Sequence, residues 1–275
     1  PPADKRTLLR RVTFDLTGLP PTPEEINAFL SDHSGNAFAK VVDRLLASPH
    51  YGERWARHWL DVARYADSNG LDENVVHGNA WRYRDYVVRS LNDDKRYDEF
   101  VVEQLAGDLL DSGSDVDLLH ERLIATGFLV LGPKVLAEKD QAKMEMDIID
   151  EQIDTVGRSL MGLTLGCAHC HTHKFDPISH HDYYGLAGIF QSTQTMDSYE
   201  TVAEWHENTI ETPDQAEKLK QHQQRIADQE ELIVKEIADA KSKLEPAPDA
   251  AAKLDEIEKR FPDFFNLAGG FGLPE

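Results

Sequence analysis

Residues 140–171 read DQAKMEMDIIDEQIDTVGRSLMGLTLGCAHCH, and their pattern decides the fold class. Asp140 is a helix cap, and Met144, Ile148, Ile149, Ile153, Val156, Leu160 and Leu163 follow at helical spacing. The spacing predicts one long helix that closes at Gly166, a residue type that ends helices. Directly after it stands Cys167-Ala168-His169-Cys170-His171, a C-x-x-C-H motif. These two cysteines are the only ones in the chain, so a disulfide framework is excluded.

Helical signals continue on both sides of this stretch. Thr22-Pro23-Glu24-Glu25 is a capping box with Pro at the first helical position. Further helices are expected from Ala37 to Ala47, from Ser48-Pro49 to Asp67, and from Asn79 through Val87. Others are expected over Tyr97 to Leu110, Val116 to Leu131 and Asp182 to Gln191. No run of alternating strands appears, which argues against a Rossmann-type sheet. Residues 214–261 differ in kind. Leu219, Ile226, Ile233 and Ala240 recur every seven among Gln, Glu, Lys and Asp, and residues 245–249 break the pattern with two prolines. This predicts a helical hairpin or coiled-coil spacer. Residues 262–275 read as a linker to a further region.

The chain has 275 residues and a formal charge of −21. Such acidity repels phosphate, so nucleic acid and anionic membranes are poor partners. An apolar fraction of 40% suits a globular protein. The longest mostly apolar run, Leu123 to Gly132, is about half the ~20 residues a membrane-spanning helix needs. The chain opens Pro1-Pro2-Ala3 without a signal sequence and reads as a processed or trimmed fragment.

The C-x-x-C-H pattern is that of covalent haem attachment. Two thiols three residues apart can add to the two vinyl groups of one haem c. The next residue, His171, then supplies the proximal imidazole to the iron. Zinc is the alternative, held by Cys167 and Cys170 with His171, His173 or the His180-His181 pair. A redox-active thiol pair lacks its expected βαβ context. The fold expected is therefore all-α: an irregular multi-helix domain over residues 1–200 around a covalently bound haem c, with an appended antiparallel helical hairpin.

Four stretches carry a family resemblance. They are Phe14-Asp15-Leu16-Thr17-Gly18-Leu19-Pro20-Pro21, the run Arg57 to Ser68, Tyr97 through Asp108, and Gly162 through Ile178. Together they resemble the planctomycete cytochrome-associated domain of unknown function, over about residues 1–200. The resemblance implies a secreted or surface multidomain protein, often with another cytochrome c domain upstream and an uncharacterised domain downstream. It implies no activity.

The sixth iron ligand has several candidates. Met144 and Met146 lie early on the long helix, roughly 30 Å from its far end, too far for one haem if the helix is straight. Met161 is expected in the core, and Met196 is a lesser candidate. His58 is preferred. It borders an apolar stripe of Trp55, Trp59, Val62, Ala63 and Ala66, with Asp61 three residues on to fix its tautomer. Arg54 and Arg57 are candidates for the haem propionates. The carbonyl of Pro177 is the expected acceptor for the second ring nitrogen of His171.

Three functions stay open at this point. One is electron transfer with a redox protein partner or an additional cytochrome domain of the same polypeptide. Another is a haem enzyme with an open distal site, in which Asp61, Arg64 or Tyr65 would be catalytic. The third is a zinc-stabilised, non-catalytic scaffold. The motif and the resemblance point to the periplasm or the cell surface.

Overall fold

The computed structural model describes residues 3–71, 74–200, 202–244 and 250–260. The chain divides into two compact units, Pro1–Asn208 and Thr209–Glu275. The described residues are mainly helical, with one two-stranded antiparallel ribbon.

The first unit opens with α1 (Lys5–Thr17), α2 (Pro23–Ser31) and α3 (Ala37–Leu46). Asp4 caps α1 by accepting from the backbone N–H of Arg6 and Thr7. Thr22 and Glu25 cap α2 reciprocally, as its sequence requires. Leu9, Phe29, Ala37, Val41 and Leu45 close a small core between the three.

Next come α4 (Pro49–Val62), α5 (Ala80–Asn92), α6 (Tyr97–Ala106) and α7 (Val116–Ala125). Single 3-10 turns at Gly107–Leu109 and Thr126–Leu129 tighten the ends of α6 and α7. Ala56, Tyr83, Tyr86, Val87, Phe100 and Phe128 form the largest core cluster. The Trp59 indole packs against this cluster and donates to Gln104 Oε1 at 2.8 Å, so its polar edge is satisfied. The helix expected to run to Asp67 stops at Val62. Arg64 takes a left-handed φ of 54°, and the N–H of Tyr65 returns to the carbonyl of Leu60. The buried face of α4 is Gly52, Ala56 and Ala63, while Trp55 and Val62 are exposed, so the expected apolar stripe is rotated.

The site rests on α8 (Gln141–Val156) and α9 (His180–Gln191). Asp140 caps α8 through the N–H of Lys143, as expected. The helix does not reach Gly166. It widens into a π turn at Gly157–Met161 and is ended by Gly162 at φ 66°. The chain then reverses, and a 3-10 turn (Leu165–His169) lies back along α8 and against α9. Ile149, Ile153, Leu165, Ala168, Ile178, Tyr183 and Ala187 make the core beneath it. β1 (Met196–Ser198) and β2 (Glu204–Trp205) pair antiparallel, an element the sequence reading did not anticipate.

The second unit contains α10 (Pro213–Leu244) and α11 (Ala250–Arg260). The proline-bearing break at 245–249 and the expected linker at 262–275 lie outside the described residues.

Candidate functional site

The reversal at Gly162 determines how the C-x-x-C-H segment is presented. In a 3-10 turn, residues three apart eclipse one another. Leu165 and Ala168 face inward and are buried. Cys167 and Cys170 face outward as free, exposed thiols on the same side. Gly166 lies flat on α8: a Cβ there would meet Asp154 Oδ1 at 3.4 Å.

His171 is exposed, and its Nδ1 lies 2.8 Å from the carbonyl oxygen of Thr172. With Nδ1–H donating there, Nε2 carries the lone pair and is free to bind a metal. The acceptor is thus the adjacent residue and not Pro177, which corrects the sequence reading. The following loop folds on itself, with the N–H of His173 bonded to Ile178 O and that of Ile178 to Asp176 O. This leaves Pro177 exposed.

His173 braces the motif from behind. Its side chain is only 7% exposed. Nδ1 accepts from the N–H of Asp176 at 2.9 Å and of Phe175 at 3.3 Å, while Nε2 lies 3.0 Å from Thr164 Oγ1. The residues before and after the cysteines are therefore tied through one imidazole. His169 stacks on Tyr183 with ring centres 5.0 Å apart, and Tyr183 donates to Asp150 Oδ1 at 2.6 Å. Burial, reinforced by Asp150, raises the Tyr183 phenol well above the ordinary tyrosine range. His180 belongs to the start of α9, where Ser179 and Asp182 form a capping box.

The donor set fits a covalent haem: two accessible thiols on one side and an imidazole with one nitrogen tethered. Tyr184 borders it, its ring edge-on to that of His169. Met161 is 57% exposed, Phe175 84% and Tyr184 49%, and Tyr184 Oη lies 3.4 Å from the carbonyl of His169. Zinc has less to hold it. Among the described residues, no three His, Cys, Asp or Glu side chains converge as a metal site.

The methionines are placed differently from expectation. Met144 and Met196 are buried together with Leu136 and Ile148, in a cluster separate from the one under the motif. Met161, expected in the core, is mostly exposed. Met146, set aside as too distant, packs against the cluster that contains Ala168. The distance argument fails because the chain reverses at Gly162 and runs back beside α8.

The α4 candidates stand apart from the motif. α4 packs on α1 and α5, whereas the motif turn packs on α8 and α9. His58, Arg57 and Asp61 are exposed, and the His58 ring sits 5.3 Å from that of Trp55. Arg54 turns into a cleft against α1. Tyr65 donates to Asp67, and burial pushes its phenol up to about 12, unsuited to proton transfer near neutrality.

Only Arg64 reaches α8, and it enters a buried network the sequence did not disclose. Arg64 pairs with Glu151 and donates to Leu131 O at 3.2 Å. Glu151 also pairs with Lys134 at 2.6 Å. The Lys134 side chain is fully buried and also donates to Val130 O at 3.1 Å and Leu131 O at 2.9 Å. Burial, then the Arg64 charge, pushes the Lys134 ammonium well down. Burial lowers Arg64 to about 10. The Lys134 ammonium lies 5.7 Å from the centre of the Trp205 ring, which meets His77 edge-on. No helix cap or motif marks these residues. Their only sequence signal is a lysine following Gly132-Pro133 after an apolar run.

No curated protein and no solved structure matches the chain. A family model does match, over residues 1–195, and it bears the description PSCyt2, protein of unknown function (DUF1549). That span includes the motif turn, its His173 brace and α9, so the chain belongs to the PSCyt2 family.

Proposed function

We propose that this chain is an extracytoplasmic c-type haem domain with an electron-transfer role. The observation that carries the reading is that Cys167 and Cys170, three residues apart, are both free and exposed, followed by His171 with Nδ1 tethered to Thr172. Cys167 and Cys170 would hold the porphyrin edge and His171 its iron; the group supplies one-electron chemistry when bound. The Thr172 carbonyl orients the imidazole. His173 keeps the flanking chain in place, and Tyr184, edge-on to His169, borders the exposed site. An attachment point at the surface suits exchange of electrons with a docked redox protein or with another cytochrome domain of the same polypeptide. Asp61 and Tyr65 lie on or just beyond α4, away from the motif, which favours electron transfer over substrate chemistry. Thioether formation needs reduced thiols and dedicated machinery outside the cytoplasm, so the periplasm or cell surface is the proposed location.

The test is production in a periplasm competent for haem maturation. The expected product keeps its haem through denaturing electrophoresis and acid-acetone extraction, and Cys167→Ser with Cys170→Ser loses it. A folded wild-type product with bound zinc and no Soret band would overturn the proposal.

A further inference from the structure

A second site lies far from the thiols in the packing order of the helices. The chain carries 50 acidic residues against 29 lysines and arginines, so an arginine is surrounded by potential partners. A cleft of about 590 Å³ at α1 and α4 nevertheless gathers three arginines, Arg10, Arg11 and Arg54, with only Asp15 among its lining residues to oppose them. Among the described residues, none of the three arginines takes part in an ion pair. Two positive charges are left uncompensated inside one concavity, an arrangement that attracts anions even when the whole molecule is acidic.

The cleft is shaped as well as charged. Gly18 ends α1 in the left-handed region, at φ 71°. A Cβ at Gly18 would stand 3.0 Å from Arg54 Cδ, so the missing side chain leaves room for the arginine stem. Arg54 Nε is buried and has no hydrogen-bond partner, a costly state for a charged donor. The Arg10 guanidinium sits 4.8 Å above the Phe14 ring, which limits its freedom before any ligand arrives. Guanidinium groups present paired donors that match the oxygens of an oxyanion.

We infer that the Arg10–Arg11–Arg54 cleft binds a dianionic tetrahedral oxyanion, the phosphate or sulfate group of a small ligand. Two excess charges match a dianion. A long polyanion such as nucleic acid would meet the acidic remainder of the surface. The site is independent of the haem reading, because none of its residues lies on α8, α9 or the motif turn.

Isothermal titration with inorganic phosphate, inorganic sulfate and acetate, at constant ionic strength, tests the inference. Saturable binding of phosphate or sulfate is expected, with acetate weaker; the stronger of the two names the ligand's ester class. Arg54→Gln should weaken binding about tenfold or more, since it removes charge-assisted hydrogen bonds. Arg10→Gln with Arg11→Gln, both exposed positions, should do the same without disturbing the core. Cys167→Ser with Cys170→Ser should bind as the wild type does. Acetate binding as tightly as either dianion, or dianion binding unchanged in both arginine variants, would overturn the inference.

Discussion

At His171 the Thr172 carbonyl occupies one ring nitrogen, which leaves the other for the proposed iron. Other single residues carry stability. Lys134 is the clearest case, a fully buried side chain that pairs with Glu151 and donates to two carbonyls. Lys134→Met removes one member of a buried ion network and leaves Glu151 with Arg64 alone. Such losses cost about 3 kcal/mol, which urea unfolding measures directly. His77 gives a pH dependence. Burial, then the Lys134 charge, lowers its proton affinity below the ordinary value of 6.5. The folded protein therefore binds fewer protons than the unfolded chain in mild acid, and stability falls as pH drops through that value. Unfolding at about pH 7.5 and about pH 5.5 should show a smaller difference in His77→Gln than in the wild type. The thiols and His171 were legible in the sequence because they fall within five consecutive residues. The Lys134 network was not, because Arg64, Lys134 and Glu151 come from three separate segments and only packing unites them. The Pro177 carbonyl was misjudged for a similar reason: the loop closes through His173 and Ile178, which spacing alone does not reveal.

Among the elements, caps were the readable part. Asp140, Thr22 and Ser48 each start helices where their side chains demand. Ends were harder. α4 stops because Arg64 adopts a positive φ, which nothing in Arg57 to Ser68 announces. α8 stops because Gly157 allows the chain to pass closely and Gly162 turns it back. A Cβ at Gly157 would meet Leu165 Cγ at 2.6 Å and Leu163 O at 2.9 Å. Gly157→Ala should therefore push the motif turn off α8 and cost about 1–3 kcal/mol, read as a lower melting temperature. It should also raise hydrogen exchange at Cys167, whose N–H bonds to Thr164 O. Gly166→Ala is the contrasting variant, since its Cβ would meet nothing closer than 3.4 Å and should be tolerated.

Across the whole molecule, charge is the dominant feature. A net −21 over 275 residues makes the folded chain repel itself. Salt shortens the range of that repulsion to about 8 Å at physiological strength. The melting temperature should rise between low and moderate sodium chloride, and a fall would show that local ion pairs such as Lys143–Asp147 outweigh the global term. The helical class was legible from periodicity throughout, but the short ribbon of β1 and β2 was not. Its strands of three and two residues are too short for alternation to register.

The turnabout at Gly162 bears on how the proposed haem attachment would relate to folding. Ala168 and Leu165 complete the interior on one flank of the turn, while both sulfurs stand on the other, outside a structure already closed without them. If the proposed haem is attached here, its loading would follow folding and would not need to reopen that interior.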